Sequence, residues 1–135
     1  VMEAAAASTE IWILGWSAAL LVVQVFLQAG AAGDRGQKYL LGARDEARGS
    51  RSAIAGRLDR ALRNLLETYP AFIALAIALV LTGKTGGVGA AGALVWIVAR
   101  VAYVPVYAAG ISVVRSLIWF ASIIGLAMMF VRLMF

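Results

Sequence analysis

The sequence contains no cysteine and no histidine, and few of its residues are charged. Without cysteine, the chain has no disulfide, no thiolate nucleophile and no zinc–sulfur site of its own. Without histidine, it lacks the commonest general base and metal ligand. Charged residues make up 14% of the chain, whereas soluble domains carry about 25%. Any chemistry must therefore come from Arg, Tyr, Ser, Asn and Glu side chains or from a bound cofactor, and no metal site is expected.

Apolar residues dominate what is present. They make up 63% of the 135 residues, and the mean hydropathy is +0.90. This composition is typical of an integral membrane protein in contact with lipid, and the length allows one domain with about four spans of about 20 residues each. The net charge of +5 comes mostly from one segment between hydrophobic runs. That distribution favours a membrane protein over a nucleic-acid-binding one.

Four hydrophobic segments predict an all-α, four-helix membrane bundle. The first segment, Ile11 to Ala32, carries no charged residue. A cleaved signal peptide is the alternative, but Glu3 and Glu10 precede the segment where a signal peptide is basic, and the apolar run is too long. The predicted spans are residues 11–32, 58–81, 88–107 and 113–131.

The polar segment 33–57 predicts the orientation of the bundle. It contains six basic residues: Arg35, Lys38, Arg44, Arg48, Arg51 and Arg57. Cytoplasmic loops are enriched in Lys and Arg, so this segment is predicted to be a cytoplasmic loop. Arg100 and Arg115 flank the turn between spans three and four and place that turn on the same side. Both termini are then outside, and the short loops favour a bacterial inner membrane.

The stretch RLDRALRNLLETYP, residues 57–70, carries charged side chains into the second span. Arg60, Asn64 and Glu67 share one face of a helix, with Arg63 at its border. A charge at the centre of a membrane helix costs about 2.5–3.5 kcal/mol. Such residues are therefore candidates for a functional site.

Two structural interpretations compete with a binding role for these residues. Arg57 is typical of an arginine that anchors a helix by extending toward lipid headgroups. Arg63 and Glu67, one turn apart, are suited to an ion pair that serves only the bundle. That pair leaves Arg60 and Asn64 unexplained.

Spans three and four add polar residues at a matching depth. Arg100, Tyr103 and Tyr107 form one stripe on span three, and Arg115 and Ser116 open span four. Arginines bind carboxylates or phosphates, whereas a glutamate beside an asparagine favours an ammonium group. The pocket that these residues predict suits a small zwitterion with more than one carboxylate, such as glutathione.

The connection TGKTGGVGAAG, residues 82–92, is rich in small residues. Gly86, Gly89, Ala90 and Ala93 favour close packing of span three against another helix.

Two motifs resemble a known family. R-x-x-R-N-x-x-E-T-x-P, from Arg60 to Pro70, resembles the second-helix signature of the membrane-associated proteins in eicosanoid and glutathione metabolism, the MAPEG family. ARVAYVPVYAAGISVVRS, from Ala99 to Ser116, looks like the region of the family's third and fourth helices. The resemblance covers spans two to four, and span one only by its hydropathy. The chain resembles a bacterial-type member, and Tyr103 stands where some eukaryotic members have histidine.

The resemblance implies a homotrimer that binds glutathione between protomers at the cytoplasmic end. The residues that it assigns to glutathione binding are Arg60, Arg63, Asn64, Glu67, Tyr103, Tyr107 and, in the loop, Arg44. Arg115 and Ser116 are the implied catalytic residues, and either one could activate the thiol. The implied reaction conjugates glutathione thiolate to a hydrophobic electrophilic small molecule that arrives from the membrane, with peroxidase activity toward lipid hydroperoxides as an extension.

Two other functional classes stay open. A non-catalytic or structural member of the same fold would keep the trimer and the binding site. A small four-helix multidrug-type transporter would need an acidic residue within its first span, where this chain has only Gln24 and Gln28 as candidate polar groups.

Overall fold

The computed structural model describes residues 7–31 and 53–135. Within these ranges the chain forms α1 (Thr9–Ala31), α2 (Ala53–Leu81), α3 (Gly87–Ala108) and α4 (Ser112–Met134), and no strand. All four helices are long and apolar enough to cross a membrane. The prediction of an all-α, four-helix membrane bundle is confirmed.

Helix α1 begins at Thr9, earlier than the predicted Ile11. Ser8 caps it, because its hydroxyl oxygen accepts a hydrogen bond from the Ile11 amide at 3.3 Å and its carbonyl accepts one from the Trp12 amide at 3.1 Å. The earlier start places Glu10 within the first turn. Helix α1 therefore does carry a carboxylate, contrary to the expectation from hydropathy alone.

Helix α2 begins at Ala53, so residues 53–57 of the polar segment 33–57 are helical. A membrane helix can extend beyond the hydrocarbon with polar turns, and residues 53–57 are such turns ahead of the predicted span 58–81. The rest of the predicted loop, including Arg44, lies outside the described residues.

The centre of the bundle is an aromatic stack that joins α2 to α3. The rings of Phe72 and Trp96 lie 3.9 Å apart and nearly parallel, and Tyr69 stacks on Trp96 at 5.9 Å. The Tyr69 hydroxyl is hydrogen-bonded to the hydroxyl of Ser17 on α1, at 2.9 Å. Because lipid is as apolar as these side chains, packing and hydrogen bonds of this kind determine how membrane helices associate. The stack fixes the register of α1, α2 and α3.

At one end of the bundle, the turn between α2 and α3 is tied to both α1 and α4. The fully buried Glu10 accepts a hydrogen bond from the Gly86 amide, at 3.0 and 3.2 Å from its two oxygens. Lys84 donates to the Leu133 carbonyl at 2.7 Å, and Arg132 donates to the Lys84 carbonyl at 3.1 Å. The Glu10 carboxylate thus lies at the positive N-terminal end of α3, where an anion is stabilised.

Helices α3 and α4 pack most closely at a pair of glycines. A Cβ atom on Gly92 would lie 2.5 Å from the Gly125 carbonyl oxygen, and one on Gly125 would lie 2.6 Å from that of Gly92. Gly89 and Ala93 are buried beside them, in keeping with the expected close packing. Gly86 has a different role, because it precedes α3 with a φ of 87°, a conformation that favours glycine.

At the other end of the bundle, Arg57 joins α2 to the turn between α3 and α4. Its Nη1 donates to the Ala108 carbonyl at 3.1 Å, and its guanidinium lies against Gly110, whose φ is 76°. A Cβ on Gly110 would be 2.8 Å from the guanidinium carbon. The interpretation that Arg57 serves only to anchor the helix at lipid headgroups is therefore wrong, because its side chain binds the C-terminal end of α3.

We expect Arg57→Met to lower the free energy of unfolding by about 1–2 kcal/mol, since it removes a charge-assisted hydrogen bond to a helix end. Thermal unfolding in detergent without ligand measures the change. Arg63→Met is the matched control: its side chain is 73% exposed and its ion-pair partner is Asp59, so little stability should be lost. Equal losses in the two variants would contradict the helix-capping role of Arg57.

Candidate functional site

One cavity of about 540 Å³ lies between α2, α3 and α4, near the turn that Arg57 holds. It is lined by Arg60, Arg63, Asn64, Glu67, Tyr103, Tyr107, Arg115, Ser116, Trp119 and Phe120. Every residue within the described ranges that the family resemblance assigned to binding or catalysis is in this set, whereas Arg100 of the predicted polar stripe is not. Arg44 lies outside those ranges, and the individual roles of the lining residues stay predictions.

The α2 wall of the cavity presents a carboxylate that no residue of the described ranges pairs with. Arg63 forms an ion pair with Asp59 at 3.0 Å. Glu67 is exposed and has no ion pair or hydrogen bond within the described part of the chain. The alternative of an Arg63–Glu67 ion pair is therefore wrong: Arg63 pairs one turn in the opposite direction along α2. The Glu67 carboxylate remains available to a ligand.

Tyr107 on α3 brings arginines from α2 and α4 together. Its hydroxyl accepts a hydrogen bond from Arg60 Nε at 3.2 Å. The Arg115 guanidinium lies over the Tyr107 ring, 4.8 Å from the centroid, and Tyr103 contacts the same ring edge-on at 5.4 Å. The electron-rich face of an aromatic ring attracts a cation, so Tyr107 holds Arg115 at the edge of the cavity.

The two predicted catalytic side chains differ in their hydrogen bonding. The Ser116 hydroxyl donates to the Ser112 carbonyl at 3.1 Å. The Arg115 guanidinium makes no hydrogen bond to any residue that the structure describes, and its contact there is the Tyr107 ring. Its N–H donors are therefore free to bind an anion in the cavity.

Arg100 was expected to face the pocket as part of the polar stripe on span three, but it lies behind the cavity wall. It is only 1% exposed and does not line the cavity. Its Nη1 donates to Asn64 Oδ1 at 2.8 Å, and its guanidinium lies 4.5 Å from the centre of the Tyr103 ring. Both contacts are with residues that do line the cavity. The available signal was the position of Arg100 one turn before Tyr103 on the same helix face.

Two aromatic residues complete the cavity and were missed by the sequence analysis. Trp119 and Phe120 follow Ser116 on α4, and their rings meet edge-on at 5.3 Å. Trp119 lies one turn beyond Arg115, and this spacing was the signal that could have identified it. The cavity therefore has both a charged part and an aromatic part.

Comparison with known proteins gives one match. A sequence model of the MAPEG family matches residues 13–135, a range that includes every lining residue of the cavity and Arg44. The chain belongs to the MAPEG family. No curated protein and no solved structure matches the chain significantly.

Membership of the MAPEG family, together with four helices able to span a membrane, identifies the chain as an integral, multi-pass membrane protein. The family acts in eicosanoid and glutathione metabolism, and its members generally use glutathione as substrate or cofactor. This confirms the family that the motifs on α2 and α3 indicated.

Proposed function

We propose that this MAPEG protein binds glutathione in the cavity between α2, α3 and α4 and transfers its thiolate to hydrophobic electrophiles. The observation that carries the proposal is the convergence of the predicted residues from three helices on one cavity. Four of those residues are charged, and a cluster of charged groups inside a membrane bundle is a strong indication of a ligand.

The charges of the cavity complement those of glutathione. Arg60, Arg63 and Arg115 are cations, and Glu67 is a carboxylate with no ion pair among the described residues. Glutathione carries two carboxylates, one ammonium group and, once activated, a thiolate. The volume of about 540 Å³ lies within the range of about 300–1,000 Å³ that is usual for small-molecule sites. In this proposal the arginines bind the anionic groups bidentately, and Glu67 binds the ammonium.

Arg115 is the residue to which we assign thiol activation. A free thiol has a pKa of about 8.5, and the thiolate is the reactive form. To lower that pKa by about two units, the site must stabilise the thiolate relative to the thiol by about 2.7 kcal/mol. A guanidinium with free donors in a partly dry cavity can supply this preference. We assign Ser116 a secondary role, since its hydroxyl already donates to Ser112.

The electrophile is assigned to the aromatic part of the cavity. Trp119 and Phe120 give a hydrophobic substrate a surface next to Arg115, and Phe120 is 59% exposed. A substrate dissolved in lipid can then reach the thiolate without crossing water. The thiolate attacks the electrophilic carbon, forms the carbon–sulfur bond and leaves the negative charge on the opened or displaced group. Peroxidase activity toward lipid hydroperoxides would use the same thiolate.

We further propose a homotrimer in which a neighbouring protomer covers the site. In the single chain, Arg60, Arg63 and Glu67 are exposed although they belong to a membrane-spanning helix. Charges that face lipid are expensive, so a ligand or a second protomer should cover them. The number of protomers comes from the family resemblance. The distribution of basic residues supports a cytoplasmic location for the site, with both termini outside, and the short loops favour a bacterial inner membrane.

Titration of glutathione into the detergent-solubilised protein tests the function. We expect an increase in thermal stability and the ultraviolet absorbance of a thiolate at neutral pH. S-methylglutathione is the matched ligand control, which should stabilise the protein without the absorbance. Stabilisation by glutathione without thiolate would indicate a non-catalytic binder. No effect at millimolar glutathione would overturn the proposal.

A further inference from the structure

The contact between Arg100 and Asn64 determines how the Asn64 amide is oriented. A guanidinium has only donors, so the atom of Asn64 that faces Arg100 must be the carbonyl oxygen. The structure has this arrangement, with Nη1 2.8 Å from Oδ1. The other atom of the amide, Nδ2, has no protein partner within the described ranges, and Asn64 lines the cavity. Its two N–H donors are therefore available to a ligand.

The surroundings of Arg100 make this orientation difficult to reverse. Arg100 is 1% exposed and is held against the Tyr103 ring. Its Nε and Nη2 atoms are buried without a partner in the described structure. Among the described residues, the guanidinium therefore forms a hydrogen bond with Asn64 and with no other residue. Turning the amide over would remove that bond and bring two donors face to face. A buried charge without an acceptor is strongly unfavourable.

We propose that Arg100 is a positioning residue that makes Asn64 a hydrogen-bond donor to the ligand. Asn64 then recognises a carbonyl or carboxylate oxygen and not an ammonium group. This separates the roles of two neighbours that the sequence had grouped together: Glu67 accepts from the ammonium, whereas Asn64 donates to an oxygen one turn away on α2. The inference rests on the proposed function, because it states which part of glutathione each residue contacts.

The variant Asn64→Asp distinguishes a donor from an acceptor at this position. Aspartate has nearly the same shape and keeps an oxygen for Arg100, but it replaces the Nδ2 donor by an oxygen that repels the ligand oxygen. We expect the Kd for glutathione to rise about tenfold or more, measured by calorimetry in detergent. If Asn64 instead accepted a hydrogen bond from an ammonium, the aspartate would bind glutathione equally well or more tightly, and the inference would be overturned.

A second series tests the role of Arg100, first without any ligand and then with glutathione. Asn64→Leu removes the acceptor and should lower the thermal stability of the ligand-free protein, whereas Asn64→Asp should preserve or raise it, since the new carboxylate pairs with Arg100. Equal destabilisation by the two variants would contradict the pairing. Arg100→Lys, which keeps one donor, should retain more glutathione affinity than Arg100→Met at matched stability. Equal affinities would overturn the positioning role.

The two proposals can fail separately. If the wild-type protein does not bind glutathione, the proposed function fails, and the ligand part of this inference fails with it. The ligand-free series still decides whether Arg100 orients Asn64. If the wild-type protein binds glutathione and Asn64→Asp binds it as tightly, the proposed function stands and the donor role of Asn64 is wrong.

Discussion

Replacing Arg115 by alanine is expected to abolish the thiolate absorbance of bound glutathione and to lower kcat/KM by about 10²–10³-fold. Effects of this size are usual when an enzyme loses one preorganised hydrogen-bond donor that stabilises an anion. In the structure, the Arg115 guanidinium is held on the Tyr107 ring and has no hydrogen-bonding partner within the described residues. The loss should fall mainly on the thiolate and less on binding, because in the proposed complex Arg60, Arg63 and Glu67 still contact the peptide.

Two further variants make the result specific to the guanidinium. Arg115→Lys keeps the positive charge but loses the fork of donors, so a partial thiolate signal should survive. Ser116→Ala should leave most of the signal, because the Ser116 hydroxyl bonds to the Ser112 carbonyl. Stopped-flow absorbance at several pH values measures the thiol pKa in each variant. If Ser116→Ala removed the thiolate and Arg115→Ala retained it, the assignment of roles would have to be reversed.

The fold could be predicted to the level of four membrane helices, because hydrophobic length alone identifies a span. Helix ends could not be predicted in the same way. The inclusion of Glu10 in α1 depends on capping by Ser8 and on a contact with the turn before α3. The partner of Glu10 is the amide of Gly86, far away in the sequence. Hydropathy carries no information about such pairs.

Helical periodicity predicted the residues of the cavity on α2 and α3, because side chains spaced by three or four residues must share a face. It could not predict which polar residue is buried behind the wall. Arg100 and Tyr103 belong to one stripe, yet Arg100 lies behind the wall and binds Asn64, while Tyr103 lines the cavity. Trp119 and Phe120 were missed because composition alone does not distinguish an aromatic residue that lines a site from one that faces lipid.

Replacing Gly92 by alanine is expected to lower the free energy of unfolding by about 1–3 kcal/mol, the usual cost of overpacking. The added methyl group would lie 2.5 Å from the Gly125 carbonyl oxygen and 2.8 Å from Met128 Cβ. The Gly125 carbonyl oxygen belongs to the backbone and cannot rotate away as a side chain could. Helices α3 and α4 must therefore move apart. Gly15→Ala is the matched control, since a Cβ there meets nothing within 4 Å. That substitution should be neutral or should stabilise α1 by up to about 1 kcal/mol.

The same substitution should also affect the site, because α3 and α4 form two of its three walls. Tyr107 lies on α3 and Arg115 on α4, and their contact depends on the separation of the two helices. Gly92→Ala should therefore weaken the thiolate signal as well as the fold, whereas Gly15→Ala should change neither. Thermal unfolding and thiolate absorbance, measured on the same preparations, provide the comparison. If Gly92→Ala were as stable as the wild type, the close approach of α3 and α4 at Gly92 and Gly125 would be refuted.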